Sequence, residues 1–186
     1  MRFQATELAG AYLIEIEELS DRRGFFARTW CAREFQNHGL PAQMVQASLS
    51  FNEKMGTLRG LHFQAPPAQE GKLVHCTAGA IFDVIVDIRP RSKTFLKHIA
   101  VILSAENRNS LYIPPGLAHG FQPLADDTEV MYMMTDFFHS EYARGVRWND
   151  PVFGISWPDG ERIILDRDNS YPDFGPPLIA ELEEHW

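Results

Sequence analysis

Short apolar runs with an alternation of period two recur along the whole chain, separated by glycine, proline, asparagine and aspartate. Side chains of a β-strand point alternately to its two faces, so this pattern predicts many short strands. Strands at such regular spacing are typical of an antiparallel sandwich or barrel. The candidate strands are Tyr12–Ile16, Phe25–Trp30, Met44–Phe51, Thr57–Gln64, Lys72–Ala78, Ile81–Ile88, His98–Leu103, Ser110–Ile113, His119–Leu124 and Glu129–Thr135.

Helices are expected to be few and short. Ala32–His38 precedes Gly39, a residue suited to ending a helix, and Leu178–Glu184 has the composition of a terminal helix. The segment Ala78-Gly79-Ala80 is expected to join its two flanking strands as a hairpin. From about Ser140 onward the chain is rich in glycine, proline and tryptophan, which predicts a tail wrapped around the sheets.

The length of 186 residues predicts one domain. We divide it into N-terminal strands with a short helix over residues 1–40, a sheet core over 41–136 and a wrapping tail over 137–186. A chain of this size can bury about 70% of its unfolded surface, so it needs no disulfide staples. Cys31 and Cys76 lie far apart, and neither has the spacing of a disulfide framework or a metal site.

The net charge is -8 at pH 7. A nucleic-acid-binding protein needs a basic surface to neutralise phosphates, so this charge argues against general nucleic-acid binding. It does not exclude a locally basic cleft for a small anion. No segment approaches the roughly 20 apolar residues of a membrane span, and no signal peptide is visible, so we expect a cytoplasmic protein without a membrane partner.

The strand Thr57–Gln64 carries an arginine and a histidine among apolar residues. A buried charge is costly, so Arg59 and His62 need a compensating anion, a solvent-filled cleft or a ligand. A second interpretation has equal weight: His62 is a hydrogen-bonded core histidine, and Arg59 forms an ion pair on an edge strand. Strict alternation would place the two side chains on opposite faces, but a bulge at Gly60 could bring both to one cavity.

The strand Ile81–Ile88 has one apolar face and one face that carries Asp83 and Asp87. Asp83 faces either solvent or a polar interior, and the usual exposure of aspartate favours solvent. Histidines on neighbouring candidate strands support the interior alternative, because aspartate commonly orients an imidazole. These histidines are His62, His75 and His119.

Pro114, Gly116 and His119 resemble the second motif of metal-binding cupins, Pro-x-Gly-x-x-His. The first cupin motif contains a His-x-His pair, and His62-Phe63-Gln64 stands in its place here. Glu70, in a proline-rich loop, is the remaining candidate for a fourth ligand. Because one imidazole is lost, we predict no metal site.

For two further polar residues, the sequence alone first indicates an ordinary structural role. Tyr132 lies in the apolar strand Glu129–Thr135, where we expect a core tyrosine with a hydrogen-bonded phenol. Asp168 follows a strand-like run in the tail, where we expect an exposed charge.

Taken together, seven segments in register resemble the dTDP-4-dehydrorhamnose 3,5-epimerases. The resemblance covers most of the chain. It implies an all-β, cupin-type jelly-roll sandwich or barrel with a few short helices, which forms a homodimer, needs no metal or cofactor and binds a dTDP-4-keto-6-deoxyhexose. The segments are Asp21-Arg22-Arg23-Gly24-Phe25-Phe26, Leu58-Arg59-Gly60-Leu61-His62-Phe63-Gln64, Gly71-Lys72-Leu73-Val74, Phe82-Asp83-Val84, Leu103-Ser104-Ala105-Glu106-Asn107, Ile113-Pro114-Pro115-Gly116-Leu117-Ala118-His119-Gly120-Phe121 and Trp148-Asn149-Asp150-Pro151.

The resemblance also implies roles for individual residues. Epimerisation next to a ketone needs a base, an acid on the opposite face of the sugar and a cation for the enolate oxygen. His62 would be the base, with Asp168 as its partner. Tyr132 would be the acid, and Lys72 would stabilise the enolate. The implied substrate-binding residues are Arg59 and Arg23 at the diphosphate, Phe26, Gln46, Ser48 and Phe138 near the nucleotide, and Asp83 and His119 beside the sugar, with Arg23 a candidate for donation across the dimer.

Three departures from the family pattern leave the nucleoside and the stereochemistry open. Ser48 replaces an asparagine near the nucleotide, Phe137-Phe138 replaces a pair of tyrosines, and Arg28 replaces an acidic residue. The main hypothesis is inversion at C3, C5 or both. The alternatives are a 3,4-ketoisomerase with the same pocket, a non-catalytic sugar-nucleotide-binding cupin, and a metal-dependent cupin oxygenase or isomerase.

Overall fold

The computed structural model describes residues 1–183, whose regular elements are mostly strands. In chain order the strands are β1 (Arg2–Ala5), β2 (Tyr12–Glu15), β3 (Leu19–Asp21), β4 (Gly24–Phe26), β5 (Gln46–Asn52), β6 (Thr57–Gln64), β7 (Lys72–Ala78), β8 (Ala80–Asp87), β9 (His98–Ser104), β10 (Ser110–Ile113), β11 (Leu117–Pro123), β12 (Thr128–Met134), β13 (Ala143–Gly145) and β14 (Ile163–Ile164). The helices are α1 (Ala32–Asn37), α2 (Asp166–Asn169) and α3 (Pro176–Glu183), with a 3-10 turn at Ser140–Tyr142. None of these helices is long and apolar enough to cross a membrane.

Two sheets pack together as a sandwich. The first sheet has the strand order β1-β2-β10-β7-β12-β5, and the second has the order β13-β6-β11-β8-β9. Neighbouring strands in both of these sheets are antiparallel, and β14 pairs with β6 as a parallel strand. β3 and β4 form a separate hairpin. This arrangement confirms the predicted all-β class with a few short helices.

Apolar side chains cover the second sheet on both of its faces. The core between the sheets combines residues of both, including Val74, Leu111 and Val130 from the first sheet and Ile81, Ile85 and Phe121 from the second. The outer face of the second sheet packs against the tail, in a cluster that includes Val84, Val86, Phe153, Trp157 and Phe174. Polar residues on the inner face of this sheet therefore point into the sandwich.

The alternating pattern located most of the long strands. β6, β7 and β10 have the predicted bounds, and the other long strands shift by one or two residues. The predicted strand Phe25–Trp30 was wrong beyond Phe26, because β4 pairs only with the short β3. The short strands β1, β3, β13 and β14 were not predicted, since so few residues show no clear alternation.

The two predicted helices are present. α1 nearly matches the predicted Ala32–His38, and α3 begins two residues before the predicted Leu178. The last residue of that prediction, Glu184, lies outside the described residues. The division into residues 1–40, 41–136 and 137–186 remains a prediction.

The predicted hairpin at Ala78-Gly79-Ala80 was wrong. β7 pairs with β10 and β12, whereas β8 pairs with β9 and β11, so this turn carries the chain from one sheet to the other. Gly79 has a φ of +72°, and a Cβ there would overlap the Thr128 side chain. Local sequence predicts the turn, but long-range packing decides which strands pair.

The bulge predicted at Gly60 is confirmed. β11 pairs with β6 through His119 opposite His62 and Phe121 opposite Arg59, and the register shifts between these two pairs. The extra residue changes the alternation, so Arg59 and His62 reach the same cavity.

Replacing Gly60 tests how much this bulge contributes. Gly60→Ala would place a Cβ 2.5 Å from Gly120 Cα at a φ of +135°. Gly160→Ala is a matched control, because Gly160 has a φ of +124° and nothing within 4 Å of the new Cβ. We expect urea denaturation to give a loss of unfolding free energy at least about 2 kcal/mol larger for Gly60→Ala than for Gly160→Ala. Equal losses would show that the close backbone contact contributes nothing.

Candidate active site

A cavity of about 250 Å³ opens between the two sheets. β6 and β11 of the second sheet form one wall, β7 and β12 of the first sheet form the other, and the segment around α2 closes the side. The lining residues are Arg59, His62, Lys72, His119, Phe121, Tyr132, Leu165, Arg167 and Asp168.

His62 and Asp168 form a hydrogen-bonded pair in this cavity. The distance between His62 Nε2 and Asp168 Oδ1 is 2.8 Å. The Gly60 N–H donates to Asp168 Oδ2 at 3.1 Å, and Arg167 Nε donates to Oδ1 at 3.1 Å. Burial by itself would raise the pKa of Asp168, but the hydrogen bond and charge of His62, with the bonds from Gly60 and Arg167, hold the pKa below its usual value.

The expectation that Asp168 is an exposed charge was wrong, since its side chain is only 2% exposed. Asp168 lies in the single turn of α2, which contacts β6, so its carboxylate reaches inward. Position in a polar tail predicts exposure, but only tertiary packing decides it.

His119 and Asp83 form a second pair. His119 Nε2 lies 2.5 Å from Asp83 Oδ1, and Asp83 is fully buried. The favoured expectation that Asp83 faces solvent was wrong, because the tail covers the opposite face of β8 and turns its acidic face into the sandwich. Asp83 Oδ2 is buried and has no hydrogen-bond partner within residues 1–183. His75, on the other face of β7, does not line the cavity.

Tyr132 lies on the opposite wall from His62. Its ring packs edge to face on His119 at 6.1 Å and is tilted against Phe121 at 6.4 Å. Burial first and the Asp83 carboxylate second raise the pKa of the Tyr132 phenol well above its usual value, while Arg59 opposes the shift. Tyr132 therefore lines the cavity with a protonated phenol rather than only filling the core, as first expected.

Lys72 adds a cation to the cavity wall. Its Nζ lies 3.0 Å from Glu70 Oε1, and both side chains are largely buried. Glu70, which was weighed as a metal ligand, therefore pairs with a lysine. Within residues 1–183, no group of three or more histidine, cysteine, aspartate or glutamate side chains is arranged to hold a metal ion.

Three of the four residues expected near the nucleotide line an adjoining cavity of about 370 Å³. Gln46, Ser48 and Phe138 share it with Lys72 and Tyr132 of the first cavity. The Phe138 N–H donates to Gln46 Oε1 at 3.1 Å, which leaves the Gln46 amide hydrogens available to a ligand.

Arg59 bridges the first cavity and the strand β5. Its Nε donates to Asn52 Oδ1 at 2.8 Å, and its Nη2 donates to the Phe51 carbonyl oxygen at 3.3 Å. These bonds hold the guanidinium at the cavity wall, where it can contact an anion.

The structure does not bring Arg23 and Phe26 to either cavity of their own chain. Both lie on the β3–β4 hairpin and are 84% and 72% exposed, respectively. Arg23 bonds Asp21 of the same hairpin through Nη2 at 2.6 Å.

The sequence did not predict Phe121, Leu165 and Arg167, which line the first cavity, or Tyr171, which contacts His62. Arg167 bonds Asp168 and faces the first cavity, and its position next to an aspartate was the available signal. The Tyr171 ring contacts the His62 ring at a centroid distance of 5.9 Å, and no local pattern indicates this contact.

Comparisons with known proteins identify related enzymes. The family model for dTDP-4-dehydrorhamnose 3,5-epimerase matches residues 5–175. The dTDP-4-dehydrorhamnose 3,5-epimerase of Sinorhizobium fredii is 40% identical over 182 residues, which cover 98% of this chain and 91% of that protein.

Solved structures of such enzymes superpose closely on this chain. The dTDP-4-dehydrorhamnose 3,5-epimerase of Bacillus anthracis, solved with TDP and pyrophosphate, has a TM-score of 0.90 at 38% identity and covers 93% of this chain and 99% of its own. The dTDP-6-deoxy-D-glucose-3,5-epimerase of Legionella pneumophila, solved with dTDP-4-keto-L-rhamnose, has a TM-score of 0.87 at 37% identity and covers 92% of each chain. A 3'-monoepimerase of Streptomyces bikiniensis, solved with dTDP-quinovose, has a TM-score of 0.84 at 30% identity over 96% of this chain and 88% of its own. The fold is the cupin type of these enzymes.

The low pKa of Asp168 makes its contribution to stability pH-dependent. A carboxylate whose pKa is depressed by folding stabilises the protein above its unfolded pKa of about 3.9, and this stabilisation disappears as the pH falls through the folded value. We expect Asp168→Asn to cost about 1–3 kcal/mol of unfolding free energy at pH 7 and progressively less below pH 4.

Urea denaturation of the two proteins from pH 7 to pH 3 measures this difference. Asp173→Asn is the control, because Asp173 pairs with Arg147 at the surface and is 55% exposed. The loss of unfolding free energy in Asp173→Asn should stay below about 1 kcal/mol at every pH. A cost for Asp168→Asn that is constant across the whole pH range would contradict the expected linkage.

Proposed function

The chain belongs to the dTDP-4-dehydrorhamnose 3,5-epimerase family of isomerases, and we propose that it converts dTDP-4-dehydro-6-deoxyglucose to dTDP-4-dehydrorhamnose by inverting C3 and C5. The placement of a base and an acid on opposite walls of one cavity carries the proposal. His62, paired with Asp168, belongs to the second sheet, and the neutral phenol of Tyr132 belongs to the first.

Proton removal begins at His62. A carboxylate only accepts hydrogen bonds, so neutral His62 carries its hydrogen on Nε2, toward Asp168, and Nδ1 is the basic nitrogen. C3 and C5 both adjoin the C4 ketone, so loss of a proton from either carbon moves the electron pair onto the ketone oxygen. Nδ1 takes the proton, and Asp168 stabilises the resulting imidazolium.

The enolate formed in this step needs a positive partner. Lys72 supplies it from the first sheet, where its strand β7 pairs with the strand of Tyr132. A cation held in place in a partly dehydrated cavity stabilises charge that develops during the reaction more effectively than one in water. No metal or cofactor is required, because every step is a proton transfer between the substrate and these side chains.

Tyr132 completes the inversion. Its phenol donates a proton to the carbon from the wall opposite His62 and becomes a phenolate. Solvent then returns a proton to Tyr132 and removes one from His62, so no atom is gained or lost. The high pKa of Tyr132 keeps the phenol protonated before this step and makes its phenolate easy to reprotonate.

The remaining residues of the pocket suit a nucleotide diphosphate. Arg59 can bind phosphate oxygens with its planar guanidinium. Gln46, Ser48 and Phe138, in the adjoining cavity, offer an amide, a hydroxyl and an aromatic face to the nucleoside. Asp83 and His119 lie beside the sugar in this proposal. Relatives solved with TDP or a dTDP-sugar support the choice of nucleotide.

We further propose that the enzyme is a homodimer whose β3–β4 hairpin contributes to the site of the partner. The hairpin exposes Leu19, Phe25 and Phe26, an apolar surface that association would bury. Arg23, on the same hairpin, lines neither of these two cavities of its own chain. A partner hairpin would supply Arg23 and Phe26 to complete the nucleotide pocket.

A cytoplasmic location is part of the proposal. Cys31 and Cys76 are both free thiols, as expected in a reducing compartment.

Proton NMR of dTDP-4-keto-6-deoxyglucose in deuterated water tests the reaction. We expect solvent deuterium at both C3 and C5, and a rate at least about 100-fold lower for His62→Ala, because a general base contributes that much. Tyr132→Phe should still exchange but lose inversion, since the base remains and the opposing acid is gone. His98→Ala, a histidine variant on the edge strand β9, serves as the control.

The exchange pattern separates the alternatives. Exchange at one carbon only would replace the proposal with a mono-epimerase or a 3,4-ketoisomerase, which product analysis distinguishes. No exchange at either carbon would favour a sugar-nucleotide-binding protein. Unchanged exchange in His62→Ala would contradict the assignment of the base.

Mixing two inactive variants tests donation of Arg23 across the dimer. Arg23→Ala and His62→Ala should each be impaired alone. In a mixed dimer, the protomer that keeps His62 receives an intact Arg23 from its partner, so about a quarter of all sites should recover after random exchange. Absence of recovery, when subunit exchange is demonstrated by mass spectrometry of the mixed dimer, would contradict a shared site.

A further inference from the structure

We propose that Tyr171 is a positioning residue that holds the His62 imidazole against Asp168, in space that the absence of a side chain at Gly145 leaves open. The inference rests on the proposed function, because it assumes that His62 removes the substrate proton. It adds a residue that acts through the base rather than on the substrate.

The Tyr171 ring packs directly on the base. The centroids of the His62 and Tyr171 rings are 5.9 Å apart, and the ring planes meet at 73°, an edge-to-face arrangement. Such aromatic contacts favour a particular relative orientation as well as burying surface. His62 therefore has two restraints: Asp168 fixes Nε2, and Tyr171 limits rotation of the ring.

Gly145 explains why an aromatic ring fits at this position. Gly145 of β13 is paired directly with His62 of β6, so a side chain at residue 145 would lie beside the imidazole. A Cβ on Gly145 would overlap the Tyr171 ring. The φ of Gly145 lies outside the left-handed region, so the glycine is needed here for space rather than for its backbone conformation. The Tyr171 ring occupies the place of the missing side chain.

Both restraints on His62 come from one short segment. Asp168 lies in α2, and Tyr171 follows two residues after the last residue of that helix. A bond to the carboxylate alone leaves the imidazole free to swing about that contact. The second contact removes this freedom and sets the direction of Nδ1.

Loss of the ring would open a path for His62 to move. A cavity of about 200 Å³ adjoins the catalytic cavity, and Tyr171 and His62 both line it, together with Lys72 and Arg167. Without the Tyr171 ring, this space would extend to the imidazole. A displacement of about 1 Å at a catalytic group can reduce the rate about 100-fold, so a loosely held base is costly.

The ring, and not the hydroxyl, carries this role. The Tyr171 hydroxyl makes no hydrogen bond to another residue between positions 1 and 183. Tyr171→Phe should therefore preserve the restraint, whereas Tyr171→Ala should remove it.

Steady-state kinetics on the full-length enzyme tests the proposal. We expect Tyr171→Ala to lower kcat about 10- to 100-fold with less than about a 3-fold change in KM, because the base is misplaced while substrate contacts remain. Tyr171→Phe should stay within about 2-fold of the wild-type kcat. Thermal unfolding of each variant shows whether the fold is retained.

Gly145→Ala gives a second, independent perturbation. Its new methyl group should displace the Tyr171 ring and lower kcat in the wild-type background. In the Tyr171→Ala background the methyl group has room, so Gly145→Ala should cause little further loss. Such non-additivity is the signature of two residues that act through one contact. Fully additive losses, or a wild-type kcat for Tyr171→Ala, would overturn the proposal.

Nitrogen NMR of the imidazoles provides a readout that needs no substrate. In the wild-type protein and in Tyr171→Phe, the ring nitrogens of His62 should give narrow signals, while Tyr171→Ala should broaden these signals as the ring exchanges between orientations. The bond to Asp168 keeps neutral His62 as the Nε2–H tautomer in all three proteins. If the wild-type enzyme fails to exchange the substrate protons, the proposed function fails while this measurement still tests the positioning role. Equally narrow His62 signals in Tyr171→Ala would overturn that role.

Discussion

The close contact of two glycines on neighbouring strands is the constraint on which the site depends. A Cβ on Gly60 would lie 2.5 Å from Gly120 Cα, and one on Gly120 would lie 2.8 Å from the Arg59 carbonyl oxygen. With no side chains between them, β6 and β11 can approach where their register shifts. The resulting bulge turns Arg59 and His62 toward one cavity, and it directs the Gly60 N–H to Asp168. The same backbone feature thus positions His62 and binds the carboxylate of Asp168.

The groups around His62 and around Tyr132 give the two sides of the cavity different electrostatic environments. His62 and His119 face each other across the β6–β11 ladder, and each bonds a buried carboxylate. The Asp168 carboxylate accepts the Nε2 hydrogen of neutral His62 and leaves Nδ1 as the nitrogen that can accept a proton. The carboxylate of Asp83, with one oxygen unpaired within residues 1–183, disfavours a phenolate at Tyr132. In the proposed reaction, these two environments suit His62 to accept a proton and Tyr132 to donate one.

The sequence predicted features that depend on neighbours along the chain and failed where distant segments decide. Strand positions and the Gly60 bulge were predicted, because alternation and glycine conformation are local properties. The hairpin at Gly79 was wrong because strand pairing is non-local. Asp83 and Asp168 were expected to be exposed because of their residue type, yet Asp83 is buried between the two sheets and Asp168 is buried where α2 contacts β6. Recognition of Asp168 as the partner of His62 came from the family resemblance, since its distance from His62 along the chain hides the contact.

Coverage of the second sheet links catalysis to the packing of the tail. A sheet with apolar residues on both faces requires a covering layer, and here the tail provides it with Phe153, Trp157 and Phe174. The same tail carries Asp168 and Tyr171, which both contact His62. Local opening of the tail would therefore remove the carboxylate and the packing ring together, while the strands that carry His62 and Tyr132 stayed paired. Because covering segments open more readily than central strands, the aromatic cluster that anchors the tail stabilises the active geometry as well as the fold.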